Sequence, residues 1–101
     1  MKKLQLTIYL NEADQMGDIP LHEDVVRRLL NFEIAGATVT RGVMGYGKHG
    51  RVHRKRLFGV SDDRPIVITS IDDEPRIRSI LVELKAVVLE GLISLQEVEV
   101  V

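Results

Sequence analysis

Hydrophobic and polar residues alternate near the start of the chain, and this alternation predicts a β-strand over residues 3–10 with one face buried. The buried face would carry Leu4, Leu6, Ile8 and Leu10. Further strands are predicted over residues 37–44, 64–72 and 92–101. Residues 66–68 are consecutively apolar, which is typical of a strand that is buried on both faces.

Two other segments have apolar residues at helical spacing. The first begins at Pro20, a residue that suits the first turn of a helix, and we expect Gly36 to be its C-terminal cap. Its apolar stripe consists of Leu21, Val25, Val26, Leu29 and Leu30. The second begins in the acidic "DDEP" around Pro75 and is expected to stop at Gly91. The polar residues 11–18 are predicted to form a loop.

The resulting order β-α-β-β-α-β predicts an α+β protein with the ferredoxin-like split βαβ fold. Two helices would cover one face of an antiparallel sheet, in a single domain over residues 1–101. Because two helices cover one face, the doubly apolar residues 66–68 favour a second layer supplied by a neighbouring subunit. We therefore expect an oligomer.

Composition narrows the class of protein. The chain has 101 residues without cysteine, which excludes disulfides and thiolate metal sites and suits a cytoplasmic protein. No apolar run approaches the length of about 20 residues that crosses a bilayer. No nucleophile is paired with a base, and no glycine elbow surrounds a serine, so we do not expect an enzyme.

Charge is distributed unevenly along the chain, although the net charge is −1. Residues 34–61 contain six lysine or arginine residues and no acid, so the remainder carries −7. This segregation favours an anionic ligand or partner for the basic segment. A solvated loop whose charges keep the protein soluble is the other interpretation.

The basic segment begins with the pattern G-x-G-x-x-G, formed by Gly45, Gly47 and Gly50. In a dinucleotide-binding fold this pattern lies at a strand-to-helix turn, and no helical stripe follows it here. The glycines instead suit the base of a long loop between two strands. Successive backbone N–H groups could hold an anion there, or the glycines could form a simple bulge.

The stretch "EIAGATVTRGVMGYGKHG" at 33–50 resembles the segment of PII signal-transduction proteins that joins their second strand to the T-loop. The whole chain is similar to the PII-like domain-of-unknown-function family 190. The shared elements are Ile19-Pro20-Leu21, "AGATVTRGVMGYG" at 35–47, Arg51-Val52-His53 and Pro65 to Ile68. The resemblance implies a homotrimer that binds an adenine nucleotide between subunits and docks its T-loop on a target such as a membrane transporter.

The resemblance also assigns site residues. Gly36 and Thr38 match positions on the adenine side, whereas Gly45, Tyr46, Gly47 and Lys48 match the T-loop base along the nucleotide and its phosphates. The T-loop-like segment would span about 45–57. Its partner-docking residues would be His49, Arg51, His53, Arg54, Lys55 and Arg56. PII proteins carry a second phosphate loop where this chain has "LEGLISLQE", so Lys48 and the cations from Arg51 to Arg56 would replace it.

Other interpretations of the same residues stay open. Arg41 lies in a strand with Val39 and Val43, and it would either form an inter-subunit ion pair or contact the ligand at the cleft mouth. His49 and His53 are an incomplete zinc set, so we expect no metal site, although a divalent-cation-responsive trimer like the CutA proteins is an alternative. Nucleic-acid binding through the basic loop is another alternative.

Overall fold

A computed structural model of the protein describes residues 1–47, 53–54 and 63–101. The elements in chain order are β1 (Lys2–Asn11), β2 (Gln15–Met16), β3 (Ile19–Pro20), α1 (Leu21–Asn31), β4 (Thr38–Arg41), β5 (Met44–Gly45), β6 (His53–Arg54), β7 (Pro65–Asp72), α2 (Glu74–Val87) and β8 (Leu92–Glu99). Four strands form an antiparallel sheet in the order β4-β7-β1-β8. This strand order, with one helix after β1 and one after β7, confirms the predicted ferredoxin-like fold.

Both helices pack on the same face of the sheet. The alternate residues of β1 that the sequence pattern assigned to the core are buried, and Leu6 and Ile8 have no exposed surface. They meet apolar residues of α1, β7 and α2, of which the fully buried ones include Val25, Ile68, Ile77, Ile80 and Leu84. The predicted one-sided strand and most of the two apolar stripes therefore form one core. The inclusion of Leu30 in the stripe of the first helix was wrong, because its side chain is 71% exposed. Among the described residues, no helix is long and apolar enough to cross a membrane.

The first helix ends earlier than the sequence predicted. The last helical residue is Asn31, and Glu33 adopts the left-handed conformation with φ of 63°. The Glu33 N–H donates to the Leu30 carbonyl at 3.0 Å, and the Ile34 N–H donates to the Leu29 carbonyl at 3.1 Å. These two bonds form a Schellman cap that turns Ile34 back onto the core. The prediction of Gly36 as the cap was wrong, because the cap forms three residues before it.

Other predicted boundaries also shift. The second helix ends at Val87 rather than at Gly91. The strand predicted over 37–44 is interrupted, because β4 ends at Arg41 and β5 begins at Met44. The predicted loop 11–18 contains β2, which pairs with β3 directly after the loop in a small hairpin whose turn contains Gly17 at φ of 61°.

On one face of the sheet there is no helix among the described residues. Tyr9 pairs with Val67 on one side and with Leu92 on the other, so these three residues form a row on this open face. Tyr9 is 45% exposed and Leu92 is 61% exposed, whereas Val67 is half-buried. Of residues 66–68, which we predicted to be buried on both faces, Ile66 and Ile68 lie in the core. Val67 points to the opposite face and is half-buried within the chain, so the burial of residues 66–68 on both faces stays a prediction.

An arginine joins the two helices. Arg28 of α1 donates to Asp24 Oδ2 at 2.7 Å, one turn earlier, and to Glu83 Oε1 of α2 at 2.9 Å. The hydrogen bond that Arg28 donates to Asp24 is the main cause that raises the pKa of Arg28 above its ordinary value, and the bond to Glu83 adds to it. The side chain is partly buried, so this bridge fixes the helix pair that supports the sheet.

Candidate functional site

A cavity of about 430 Å³ lies at the end of the sheet where β1 finishes and β7 and β8 begin. The sheet contributes Tyr9, Leu10, Asn11, Pro65, Val67 and Leu92 to its lining. Glu90 and Gly91, which precede β8, close another part of the wall. The row of Tyr9, Val67 and Leu92 extends from this cavity onto the open face, so the cavity lies beside the surface that lacks a covering layer.

The segment predicted to bind a ligand reaches the same cavity. Gly45, Tyr46 and Gly47 line it, together with Gly42 and Met44. Since β5 pairs with β6 in an antiparallel ribbon, this segment leaves the sheet as the first arm of a hairpin. The structure therefore brings three residues of the resemblance-based site to a cavity in the fold.

Close packing against Pro65 explains two of these glycines. The Gly42 N–H donates to the Pro65 carbonyl at 2.7 Å, and a β-carbon at position 42 would lie 2.8 Å from Pro65 Cγ. A β-carbon at Gly45 would lie 3.2 Å from the same atom. Among the residues that the structure describes, none has an atom within 4 Å of the corresponding position at Gly47. Gly42 and Gly45 thus allow the hairpin to lie on β7, whereas Gly47 has room for a side chain.

Two other predicted ligand residues, Gly36 and Thr38, are not in the cavity lining. Gly36 is fixed beside β7, because its carbonyl accepts a hydrogen bond from the Ser70 hydroxyl. The preceding Ala35 N–H donates to Asp72 Oδ2 at 2.9 Å. Thr38 begins β4, an edge strand whose four residues are all exposed. Both residues therefore lie on an accessible edge of the sheet, away from the cavity of their own chain.

Arg41 forms an ion pair with Glu12 of the same chain. The Glu12 side chain is 17% exposed, and its backbone N–H donates to the Arg64 carbonyl at 2.8 Å. The second carboxylate oxygen of Glu12 is buried and has no hydrogen-bond partner among the described residues. Arg41 was expected to form an inter-subunit ion pair or to contact the ligand. The structure shows an ion pair, but its partner belongs to the same chain. Val39 and Val43, its neighbours in the sequence pattern, are exposed.

Most cations of the basic segment lie in the part of the chain that the structure does not describe. Lys48, His49, Arg51, Lys55 and Arg56 lie outside the described residues. His53 and Arg54 are described as β6, through their backbone pairing with Met44 and Gly45. The predicted contacts of these side chains with phosphate or with a partner stay predictions.

The described lining of the cavity has a distinct electrostatic character. It contains two carboxylates, Asp14 and Glu90, and among the lining residues that the structure describes there is no lysine, arginine or histidine. The remaining lining is largely apolar or aromatic, with glycine backbone. In the part of the chain described, no group of three or more histidine, cysteine, aspartate or glutamate residues could hold a metal ion.

Sequence reasoning missed several cavity residues. Tyr9 lies between the predicted core residues Ile8 and Leu10, on the face of the strand that was not expected to be buried. Asp14 lies in the predicted loop, and Gly91 was expected only to stop a helix. A signal for Gly91 existed, because a glycine directly before a strand can mark close backbone approach. No sequence pattern distinguishes Asp14 from its polar neighbours.

The comparison with protein families agrees with the resemblance found in the sequence. The model of the family DUF190, described as "Uncharacterized ACR", matches residues 3–100. The chain belongs to the DUF190 family. Among its relatives, a UPF0166 protein of Aquifex aeolicus is 34% identical over 101 residues, which cover 100% of this chain and 95% of that protein. A UPF0166 protein of Methanocaldococcus jannaschii is 33% identical over 96 residues, which cover 94% of this chain and 88% of that protein.

Solved structures place the DUF190 chain in the PII-like fold. A PII-like signalling protein of Thermus thermophilus gives a TM-score of 0.70 at 18% identity, over 99% of this chain and 90% of that one. A second structure is that of CPII from Thiomonas intermedia, a nitrogen regulatory PII-like protein bound to ADP, AMP and bicarbonate. It gives a TM-score of 0.67 at 21% identity, over 99% of this chain and 89% of CPII. These likenesses confirm the fold predicted from the sequence, and at such identities they extend to the fold alone.

Proposed function

We propose that this DUF190 protein is a PII-like regulatory protein that binds an adenine nucleotide in the cavity beside Gly45, Tyr46 and Gly47. The observation that carries the proposal is the meeting of this segment with a cavity of about 430 Å³ at the end of the sheet. Ligand sites for small molecules are typically concave, mostly apolar and of about 300–1,000 Å³. The ADP and AMP bound to CPII, a protein of the same fold, support the choice of nucleotide.

The walls of the cavity suit a nucleobase. Tyr9 and Tyr46 offer aromatic rings, and Val67 and Leu92 offer apolar surface. Stacking on such side chains stabilises a bound base, whatever hydrogen-bonding groups the base carries. The phosphates would extend toward Lys48 and the following cations, because Gly47 lines the cavity and Lys48 is the next residue.

We further propose that the protein is a homotrimer whose open sheet faces meet. The row of Tyr9, Val67 and Leu92 supplies apolar surface on a face that no helix of the described ranges covers. In such an assembly, the exposed edge strand β4 would bring Gly36 and Thr38 to the cavity of a neighbouring subunit. The assembly would thereby unite the two parts of the predicted ligand site.

The basic loop is proposed as the output element. His49, Arg51, His53, Arg54, Lys55 and Arg56 follow directly on the cavity-lining glycines, so a ligand held by Tyr46 and Gly47 would also bias the position of the loop. The docking partner would be a protein with acidic surface, by charge complementarity. No observation favours a membrane transporter over other targets, and we assign no catalytic residue.

Calorimetric titration with ATP, ADP, AMP and cyclic AMP tests the nucleotide, and light scattering tests the trimer. We expect saturable heat with at least one nucleotide and a mass of three chains. Tyr46→Ala should weaken binding roughly tenfold by removing a stacking surface. Val43→Ala is the matched control, because Val43 is close in sequence, 82% exposed and outside the cavity lining. Absence of heat with all four nucleotides would overturn the proposal.

A further inference from the structure

The charged side chains in the described lining of the cavity are carboxylates, which accept hydrogen bonds. Asp14 and Glu90 bring carboxylates to the described lining, and no described lining residue brings a cationic side chain. A carboxylate close to a phosphate would repel it, whereas it would attract an N–H or O–H group. This part of the wall is therefore suited to the end of the ligand that carries donors, opposite to its phosphates.

Asp14 is held in place by three hydrogen bonds. Its Oδ2 accepts the Asn11 N–H at 3.0 Å, and its own N–H donates to the Asn11 carbonyl at 3.0 Å. Its carbonyl accepts the Leu21 N–H, the first of helix α1, at 2.7 Å. The backbone is thus tied to β1 on one side and to α1 on the other. A carboxylate fixed in this way is pre-organised for recognition, since little conformational freedom remains to be lost on binding.

The other carboxylate oxygen, Oδ1, is available to a ligand. Within the described part of the chain it has no hydrogen-bond partner, although Asp14 lines the cavity. Asp18 offers a contrast on the same β2–β3 hairpin, because it is exposed and does not line the cavity. Replacing either aspartate removes one negative charge, but only Asp14 lines the cavity. A comparison of the two variants therefore separates the effect of position in the cavity from the effect of charge.

We infer that Asp14 is a specificity-determining residue of the proposed nucleotide site, whose Oδ1 accepts a hydrogen bond from an amino or hydroxyl group of the ligand. The inference rests on the proposed function and adds to it a preference for ligands with such a donor. Two groups of an adenine nucleotide qualify, the exocyclic amine of the base and the ribose hydroxyls. Loss of the matching donor would leave a partly buried carboxylate without its partner, which costs affinity.

The test is a calorimetric comparison of AMP with three analogues. IMP lacks the exocyclic amine, and the 2′-deoxy and 3′-deoxy forms of AMP each lack one hydroxyl. We expect the wild type to bind one of the three roughly tenfold more weakly than AMP, which identifies the donor. Asp14→Asn should lose most of this discrimination while keeping a carbonyl oxygen for the Asn11 N–H. Asp18→Asn should retain the wild-type ratios.

The outcomes separate the two proposals. Equal affinity of the wild type for AMP and all three analogues would overturn the inference, even if Asp14→Asn failed to fold. Unchanged ratios in a folded Asp14→Asn protein would overturn it as well. Absence of binding of any adenine nucleotide to the wild type would overturn the proposed function, and the inference with it.

Discussion

Gly91 packs directly against the backbone of Tyr9, and a β-carbon at position 91 would overlap the Tyr9 carbonyl oxygen. The same β-carbon would lie 2.9 Å from Leu10 Cδ2 and 2.9 Å from Val88 Cγ1. Because Tyr9 and Gly91 both line the cavity, this close approach determines the shape of the cavity where β8 begins.

Gly91→Ala is expected to lower the free energy of unfolding by about 1–3 kcal/mol, because atoms must move to admit the methyl group. Urea denaturation measures this change. Gly36→Ala is the matched control, since no atom lies within 4 Å of its β-carbon position, and we expect a change of about 0.5 kcal/mol or less. Equal effects of the two substitutions would contradict the role given to Gly91.

Much of the fold could be predicted from the sequence, because burial of one strand face and two helix stripes follows from residue periodicity. Boundaries were harder to predict, and Glu33 shows why. A glycine at position 36 suggested the helix cap, yet the cap forms where Ile34 can reach the core, and this requirement overrides the preference of glycine for positive φ. Tertiary packing, which sequence periodicity does not specify, selected the position.

The candidate site could be predicted in part. The stretch containing Gly45, Tyr46 and Gly47 was found through its resemblance to PII proteins. The opposite wall, which contains Tyr9, Asp14 and Gly91, was missed. Strand pairing and the hairpin between β1 and α1 bring these three residues to the cavity. Such contacts join residues far apart in the chain, and a single sequence carries no pattern that relates them.

Gly42 and Gly47 are expected to respond differently to alanine. Gly42→Ala should lower the free energy of unfolding by about 1–3 kcal/mol, because the new methyl group would lie 2.8 Å from Pro65 Cγ. Gly47→Ala should leave stability within about 0.5 kcal/mol, since its β-carbon would meet no atom of the described part of the chain. Thermal unfolding of both proteins measures the difference. A larger loss for Gly47→Ala would show that the packing against Pro65 is not what requires glycine.

Glu33→Gly is expected to stabilise the protein by roughly 1 kcal/mol, because glycine adopts a positive φ without the steric cost that a β-carbon brings. Glu33→Ala is the control that removes the carboxylate while keeping the β-carbon, and it should not stabilise. Chemical denaturation distinguishes the two. A gain for alanine equal to that for glycine would assign the effect to charge instead of backbone conformation.

The ion pair between Lys3 and Asp73 predicts a pH dependence. Lys3 Nζ donates to Asp73 Oδ1 at 2.5 Å, and this bond is the main cause that lowers the pKa of Asp73 below its ordinary value of 3.8. Since the folded state holds the proton less tightly than the unfolded state, the contribution to stability is present above pH 3.8 and is lost as the pH falls through the lowered pKa. Wild type should therefore exceed Lys3→Gln in stability at neutral pH, and the two should converge in acid.

The control for this pH dependence is Lys2→Gln. Lys2 pairs with Glu97 at 3.1 Å, with both side chains largely exposed, so its removal should give only a small difference in stability at every pH. Thermal unfolding between pH 2 and 7 compares the three proteins. A Lys3→Gln difference that stays constant down to the lowest pH would contradict the coupling to Asp73.

The Glu12–Arg41 ion pair separates a structural role of Arg41 from a ligand-binding role. Arg41→Gln should lower the free energy of unfolding by roughly 1–3 kcal/mol, because Glu12 is largely buried and would lose its counter-charge. In the Glu12→Gln/Arg41→Gln double variant no unpaired charge remains, so part of the stability should return. Nucleotide titration of the same variants completes the test. If Arg41 acts through Glu12 alone, the double variant should bind the nucleotide as the wild type does. The single variant Glu12→Gln is the control. A loss of nucleotide affinity in both variants that lack Arg41, but not in Glu12→Gln, would assign Arg41 to the ligand.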